Sequence, residues 1–232
     1  KIASLILFPG AMSFALSYLA TPYVIKLAKR WGLVDDPTKS KHPKVIHTYP
    51  VPRSGGLAIF FAILISSLIF LPLDKHLIGI LTGALLLTFL GILDDKYDLN
   101  PYLRLFLQFI AAGIPIISGI GISFLSNPFG GIIDLSHPQI TVNFLGQIRS
   151  IWLLSDIFAL FWIVALMNFL NMGAKGVDGQ LPGVVTIASA TIAALSLRFS
   201  ADITQWPVII LAVITSGAYL GFLPWNFFPQ KI

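Results

Sequence analysis

Two carboxylates stand side by side at Asp94-Asp95, directly after the apolar run 77–93 and before Lys96-Tyr97-Asp98-Leu99-Asn100-Pro101. If the run is helical, the pair sits at the negative end of its macrodipole, where each carboxylate is disfavoured by about 0.3–1 kcal/mol. Adjacent like charges also raise each other's proton affinity unless a cation lies between them. A divalent metal carrying a phosphate substrate is the chemistry that puts such a pair to use. The plain alternative is a solvated turn. Asn100 and Pro101 read structurally, as an N-cap and a first helical residue; Asp98 suits either purpose.

Two further clusters and one basic position could work with this pair. Upstream, Asp35-Asp36 leads into Lys39, Lys41, Lys44 and His47, then Pro50-Val51-Pro52-Arg53-Ser54-Gly55-Gly56. Lys26, Lys29 and Arg30 need no more than attraction to anionic lipid. Pro-x-Pro-Arg-x-Gly-Gly differs, because a stiff segment meets two side-chain-free residues where a helix starts. Backbone N–H groups beside an Arg suit an anionic oxygen. Downstream, Arg104 and Gln108 are four apart and share a helix face. Arg104 either snorkels to headgroups or holds a phosphate against a metal. The last cluster runs from Asn168 and Asn171 through Gly173, Lys175, Gly176, Asp178 and Gly179 to Gly183. Amides three apart on an apolar helix need partners, whether a ligand or a neighbouring helix. The glycines break the helix and let backbone approach a ligand closely.

The elements that must position these groups are membrane helices. Of 232 residues, 56% are hydrophobic and 11% charged, and the mean hydropathy is +0.86, far from the balance of a soluble domain. The fold expected is an all-α polytopic membrane protein with about seven spans near 2–23, 55–72, 77–93, 101–122, 156–172, 181–199 and 203–225, in one membrane domain over 1–232. Cysteine is absent, which excludes disulfides and thiolate metal sites. All ten acidic residues are Asp. A small β-hairpin is expected after the fourth span, in the segment 123–155, where Asn127-Pro128-Phe129-Gly130-Gly131 precedes Ile132-Ile133-Asp134-Leu135 and then Ile140-Thr141-Val142. His137, in that segment, reads as a solvated loop residue.

Orientation follows from Lys and Arg. With the first loop cytoplasmic, eleven of the fifteen basic residues lie inside and Lys1, Lys75, Arg149 and Arg198 lie outside. This positive-inside assignment places the N-terminus outside. It also puts every polar cluster, and Asn226 after the last span, on the cytoplasmic side, where a soluble nucleotide can meet a lipid.

In this order and topology the residues resemble the polyprenyl-phosphate N-acetylhexosamine-1-phosphate transferase family. The resemblance rests on His47-Thr-Tyr-Pro-Val-Pro-Arg53-Ser-Gly-Gly56, Gly91-Ile-Leu-Asp94-Asp95-Lys-Tyr-Asp98, and Asn168-x-x-Asn171 leading to Asp178-Gly179. Pro-Arg-x-Gly-Gly looks more like the N-acetylglucosamine branch than the muramoyl-pentapeptide branch. The resemblance implies Asp94 and Asp95 as the catalytic pair, with Asp94 and Asn171 at the metal. It implies Lys44, His47, Arg53, Arg104, Asn168, Asp178 and Asn226 as substrate-binding residues. Mg²⁺, or Mn²⁺ in its place, is the implied cofactor. The implied partners are polyprenyl phosphate, a UDP-N-acetylhexosamine and the membrane, with no nucleic-acid polymer and with a homodimer as a candidate assembly. The setting implied is a bacterial or archaeal cytoplasmic membrane, and the chemistry is attack by a polyprenyl phosphate oxygen on a UDP-sugar, releasing UMP.

The sequence departs from the family pattern in two places. Ala174-Lys175 stands where bacterial members often carry another Asp before Asp178-Gly179, and the sequence stops before a Phe-x-Gly-Asp-x-Gly segment that supplies a further metal ligand. The expectation is an N-terminal portion that does not turn over alone. A secondary transporter with an Asp/Asn ion site would need midplane polar residues and repeat symmetry. A magnesium-dependent prenyltransferase would need a second Asp-rich motif. A non-catalytic scaffold leaves the one-sided clusters unexplained. Purified residues 1–232 are expected to form no polyprenyl-diphosphate-sugar; detectable product in a radiolabel transfer assay would refute this.

Overall fold

In a computed structural model, which describes residues 2–35, 49–144, 147–174, 177–227 and 229–232, the described residues form seven α-helices. They are α1 (Ile2–Trp31), α2 (Gly56–Phe70), α3 (Lys75–Tyr97), α4 (Pro101–Ile117), α5 (Leu153–Ala174), α6 (Gln180–Ser196) and α7 (Trp206–Asn226). Segments in α1, α3, α5, the α6 region and the α7 region are long and apolar enough to cross a membrane, while α2 and α4 are shorter apolar helices. The architecture is that of a polytopic helical membrane protein.

Helix ends follow local chemistry more than hydropathy. The first helix outlasts the apolar run by a full turn and more, through Lys26, Lys29 and Arg30, because charge does not break a helix. It ends where Leu33 N–H reaches the Ala28 carbonyl at 2.9 Å and Gly32 turns with φ 71°. α3 starts on Asp74, whose Oδ1 accepts from Leu77 N–H at 2.8 Å. That bond, helped by His76, holds the Asp74 carboxyl below its ordinary range. α4 begins as the sequence suggests, with Asn100 Oδ1 accepting from Tyr102 N–H at 2.9 Å and Pro101 at its first turn. It stops at Ile117, short of residue 122, where Ser118 and Gly119 close it.

The chain divides into two units. One comprises Lys1–Leu73, Thr88–Leu99 and Leu170–Ile232; the other comprises Asp74–Leu87 and Asn100–Phe169. In the first, α1 and α7 touch backbone to backbone. A Cβ on Gly217 would strike the Gly10 carbonyl, and one on Gly221 would strike that of Phe14. Such close approach is how helices pack where lipid removes the hydrophobic drive between them. Ser13 adds an interhelical bond, its hydroxyl donating to the Ile214 carbonyl at 2.8 Å. Ile59 and Ala62 of α2 join Ala218, Phe222 and Ile232 in a buried apolar cluster.

In the second unit, Gly83 of α3 lies against the Ala111 carbonyl and Pro115 of α4. Phe109 meets Phe161 edge to face with centroids 5.4 Å apart. The segment between α4 and α5 holds two hairpins in place of the expected one. β3 (Phe124–Ser126) pairs with β4 (Ile132–Asp134) across the Asn127–Gly131 turn, and β5 (Gln139–Phe144) pairs with β6 (Gln147–Trp152). Strands form over Ile132–Asp134 and Gln139–Phe144, within and around the runs read as β, but each pairs with a strand close to it in sequence, the lower-entropy closure. A third small pair joins β1 (Val34–Asp35) to β2 (Val51–Pro52).

Gly217→Ala should lower the thermal midpoint in detergent, with a loss of about 1–3 kcal/mol typical of overpacking. Gly113→Ala in α4, whose Cβ would meet nothing within 4 Å, should leave the midpoint unchanged or raise it.

Candidate active site

The helix α3 runs straight through both aspartates. It ends only at Asp98, which takes a left-handed φ of 49° and returns its N–H to the Asp94 carbonyl at 2.9 Å. A short polar residue tolerates that conformation better than most, so Asp98 serves the helix end. Asp94 and Asp95 are both half-buried in the last turn. The Asp95 carboxylate is held by Ser54, whose hydroxyl donates to Oδ2 at 2.8 Å, and lies within the field of the Arg53 guanidinium.

Ser54 is itself framed by a folded loop. Arg53 N–H donates to the Leu33 carbonyl at 2.8 Å, continuing the β1–β2 pairing. Its guanidinium Nη2 lies 3.0 Å from Asp35 Oδ2. Beyond Ser54, the space beside Gly55 is filled by the Phe222 ring of α7, into which any Cβ would run. Gly55 is therefore needed for packing, and Gly56 is the open one of the two glycines.

Phe222 also ties this loop to a second one. One turn further along α7, Asn226 Oδ1 accepts from Gly179 N–H at 3.2 Å, and its Nδ2 donates to the Ile232 carbonyl at 2.6 Å. Gly179 caps α6 with φ 76°. A Cβ there would lie 2.7 Å from the Phe227 ring and 3.4 Å from Leu223. The contacts run unbroken from Asp95 through Ser54, Gly55 and Phe222 to Leu223, Asn226 and Gly179, beside half-buried Asp178. Both loops thus lie at one end of the first unit. Tyr49 adds a strap, its hydroxyl donating to the Gln230 carbonyl at 2.9 Å.

Residues 77–232 match the family model described as glycosyl transferase family 4. The chain belongs to that family. It is 32% identical over 216 residues to a Bacillus subtilis protein named "Probable undecaprenyl-phosphate N-acetylglucosaminyl 1-phosphate transferase", covering 92% of this chain and 53% of that one. It is 28% identical to a decaprenyl-phosphate N-acetylglucosaminephosphotransferase of Mycolicibacterium smegmatis, over 96% of this chain and 54% of the relative. A phospho-N-acetylmuramoyl-pentapeptide-transferase of Caldanaerobacter subterraneus is also 28% identical, over 98% and 69%. The chain spans about half the length of the Bacillus and mycobacterial relatives.

In this family 4 protein the expected site residues fall as follows. Asp94, Asp95 and Arg53 share one loop junction, and Asp178 and Asn226 share the other. Asn171 is exposed near the end of α5. Asn168 belongs to the second unit, where its Nδ2 donates to Gln108 Oε1 and to the Val164 carbonyl, both at 2.8 Å. Its amide hydrogens thus go to protein acceptors, as interhelical glue would have them. Arg104 is half-buried in the first turn of α4, also in the second unit. Lys44 and His47 lie outside the described residues. Ser54, Asp35 and Phe222 were not anticipated. Ser54 carried a signal in retrospect, as a hydroxyl beside Arg53 at a helix start that the N-cap, Gly55, leaves unused.

Among the described residues no three His, Asp, Glu or Cys side chains group as a metal site. Asp94 and Asp95 carry the carboxylates at this junction, near enough for one to repel the other. Mg²⁺ ordinarily takes one or two carboxylates and completes its shell with water and substrate phosphate, so the Asp94-Asp95 pair fits it.

Gly179→Ala puts a side chain into the left-handed region, at about 1–2 kcal/mol, and against the Phe227 ring. The expected result is a lower thermal midpoint in detergent and earlier proteolysis at the 177–180 turn; an unchanged midpoint would show that the turn tolerates a side chain.

Proposed function

We propose that this protein transfers an N-acetylhexosamine 1-phosphate from a UDP-sugar to polyprenyl phosphate, with N-acetylglucosamine as the favoured sugar. The observation that carries the reading is the chain of contacts uniting the Asp94-Asp95 turn, the Arg53-Ser54 loop and the Asp178-Gly179 turn at one end of one unit. Carboxylates, a guanidinium and glycine-flanked backbone together suit a diphosphate, a divalent cation and a nucleotide. The names of the relatives point the same way.

The chemistry is a displacement at phosphorus. A lipid phosphate oxygen forms a bond to the β-phosphorus of the UDP-sugar, the bond from that phosphorus to the bridging oxygen breaks, and the bridging oxygen leaves with UMP. Both reactants are anionic, and a phosphate monoester, with its second pKa near 6, is largely ionised at neutral pH. The protein therefore has to position charge and has little need of a base. Asp94 and Asp95 would hold Mg²⁺, or Mn²⁺, with help from Asn171. Bound there, the ion would neutralise the diphosphate and the departing UMP. Arg53, Lys44, His47 and Arg104 would orient phosphate oxygens, Asn168 would act through the helix pairing its amide makes, and Asp178 with Asn226 would form the uridine end. We favour direct displacement; isolation of a phosphosugar adduct on an aspartate would argue for the covalent route.

In the proposed setting, residues 1–232 are one membrane domain, the N-terminal portion of a longer transferase in a bacterial or archaeal cytoplasmic membrane. The site faces the cytoplasm and the N-terminus lies outside. α2 and α4 complete seven spans; at about 1.5 Å rise per residue they fall roughly 4 to 8 Å short of a ~30 Å core, a mismatch met by local thinning of the bilayer. A homodimer is the assembly to test.

In a transfer assay on the longest natural chain containing these residues, with UDP-N-acetylglucosamine and polyprenyl phosphate, Asp94→Asn and Asp95→Asn should each lower kcat by about a hundredfold or more. UMP release at the wild-type rate by either variant would overturn the reading.

A further inference from the structure

We propose that Ser54 is a positioning residue that fixes the Asp95 carboxylate for phosphosugar transfer, an inference that rests on the transferase reading. The Ser54 hydroxyl donates to the Asp95 carboxylate at 2.8 Å from Oδ2. To do so Ser54 holds a left-handed φ of 69°, a conformation that strains a non-glycine residue. Strain of this kind persists only where the surroundings impose it, and here they do. On one side Arg53 is pinned by its bond to Leu33 and its ion pair with Asp35. On the other, Gly55 is wedged against Phe222.

The usual employment of a serine at a helix start is absent. The N-cap is Gly55, without a side-chain cap, and Ser54 accepts the Leu57 N–H through its backbone carbonyl at 3.1 Å. Its hydroxyl is thereby left for Asp95. The choice of donor also matters. An Arg or Lys on Asp95 would neutralise the carboxylate and compete with a bound cation. Here the hydrogen bond comes from a hydroxyl, while the Arg53 guanidinium, paired with Asp35, acts on Asp95 through its field; neutral partners of this kind orient metal-ligating carboxylates from the outer shell.

The test compares wild type, Ser54→Gly and Ser54→Ala in the longest natural chain containing these residues. Thermal midpoints and steady-state kinetics with UDP-N-acetylglucosamine and polyprenyl phosphate are both measured. Ser54→Gly relieves the backbone strain, so a merely structural serine predicts a midpoint as high or higher and unchanged kinetics. The positioning role predicts that same midpoint with kcat lowered about tenfold or more and both KM values within about twofold of wild type. Ser54→Ala should show the same kinetic loss. Wild-type kcat in Ser54→Gly, or a kinetic loss that merely follows a fallen midpoint, overturns the inference and leaves the transferase reading standing. Absence of transfer by the wild type overturns both.

Discussion

An apolar helix that ends in two carboxylates faces the electrostatics of its own backbone, whose terminal carbonyls repel the charges beside them. The loop before α2 answers that constraint. A tightly framed turn presents the hydroxyl of Ser54 to Asp95, while Asp98 closes the helix and satisfies the Asp94 carbonyl. Two aspartates three residues apart thus do different work, Asp98 ending the helix and Asp95 held at its end by the loop before α2. The compensation from Ser54 and Asp98 is dipolar, and the Arg53 guanidinium adds its field at Asp95.

Phe222 makes this local arrangement part of a larger one. Its ring lies against Gly55, in a cluster that includes Ile59 and Ala62 of α2 and the tail residue Ile232. The neighbouring turn of α7 supplies Leu223 and Asn226 to the Gly179 turn. An apolar side chain with no chemistry of its own therefore sets the spacing between two polar loops. Its effect on ligand binding would travel through packing, which interiors transmit because they are dense and resist compression.

Much of this was legible before any coordinates. Composition and hydropathy name a helical membrane protein, and the Asn100-Pro101 start and the Gly179 break obey local rules that a single chain displays. Residue-type arguments also single out Asp94-Asp95 and Arg53 as neighbours in purpose. Other features depend on partners distant in sequence. The Ser54–Asp95 bond spans 41 residues, and nothing in a Ser-Gly-Gly stretch announces an aspartate as its acceptor. Two glycines beside Arg53 suggest backbone N–H groups offered to an anion, and the sequence alone does not show that the missing side chain at Gly55 also makes room for the Phe222 ring. Asn168 could be read either as ligand or as glue, and its bonds to Gln108 and Val164 are those of glue. Hydropathy likewise cut α1 short, since it registers where lipid contact ends and says little about where helical hydrogen bonding does.

The seam between α1 and α7 has a consequence for how the chain is made. Ser13 finds its acceptor 201 residues later, at Ile214, and Gly10 meets its backbone neighbour at Gly217. Chains emerge from the ribosome with the N-terminal end first, so the first helix enters the bilayer long before its tightest partner exists. During that interval its grooved face is covered by lipid or by transient neighbours. Biogenesis is then a matter of holding α1 loosely enough that α7 can still displace whatever has taken its place.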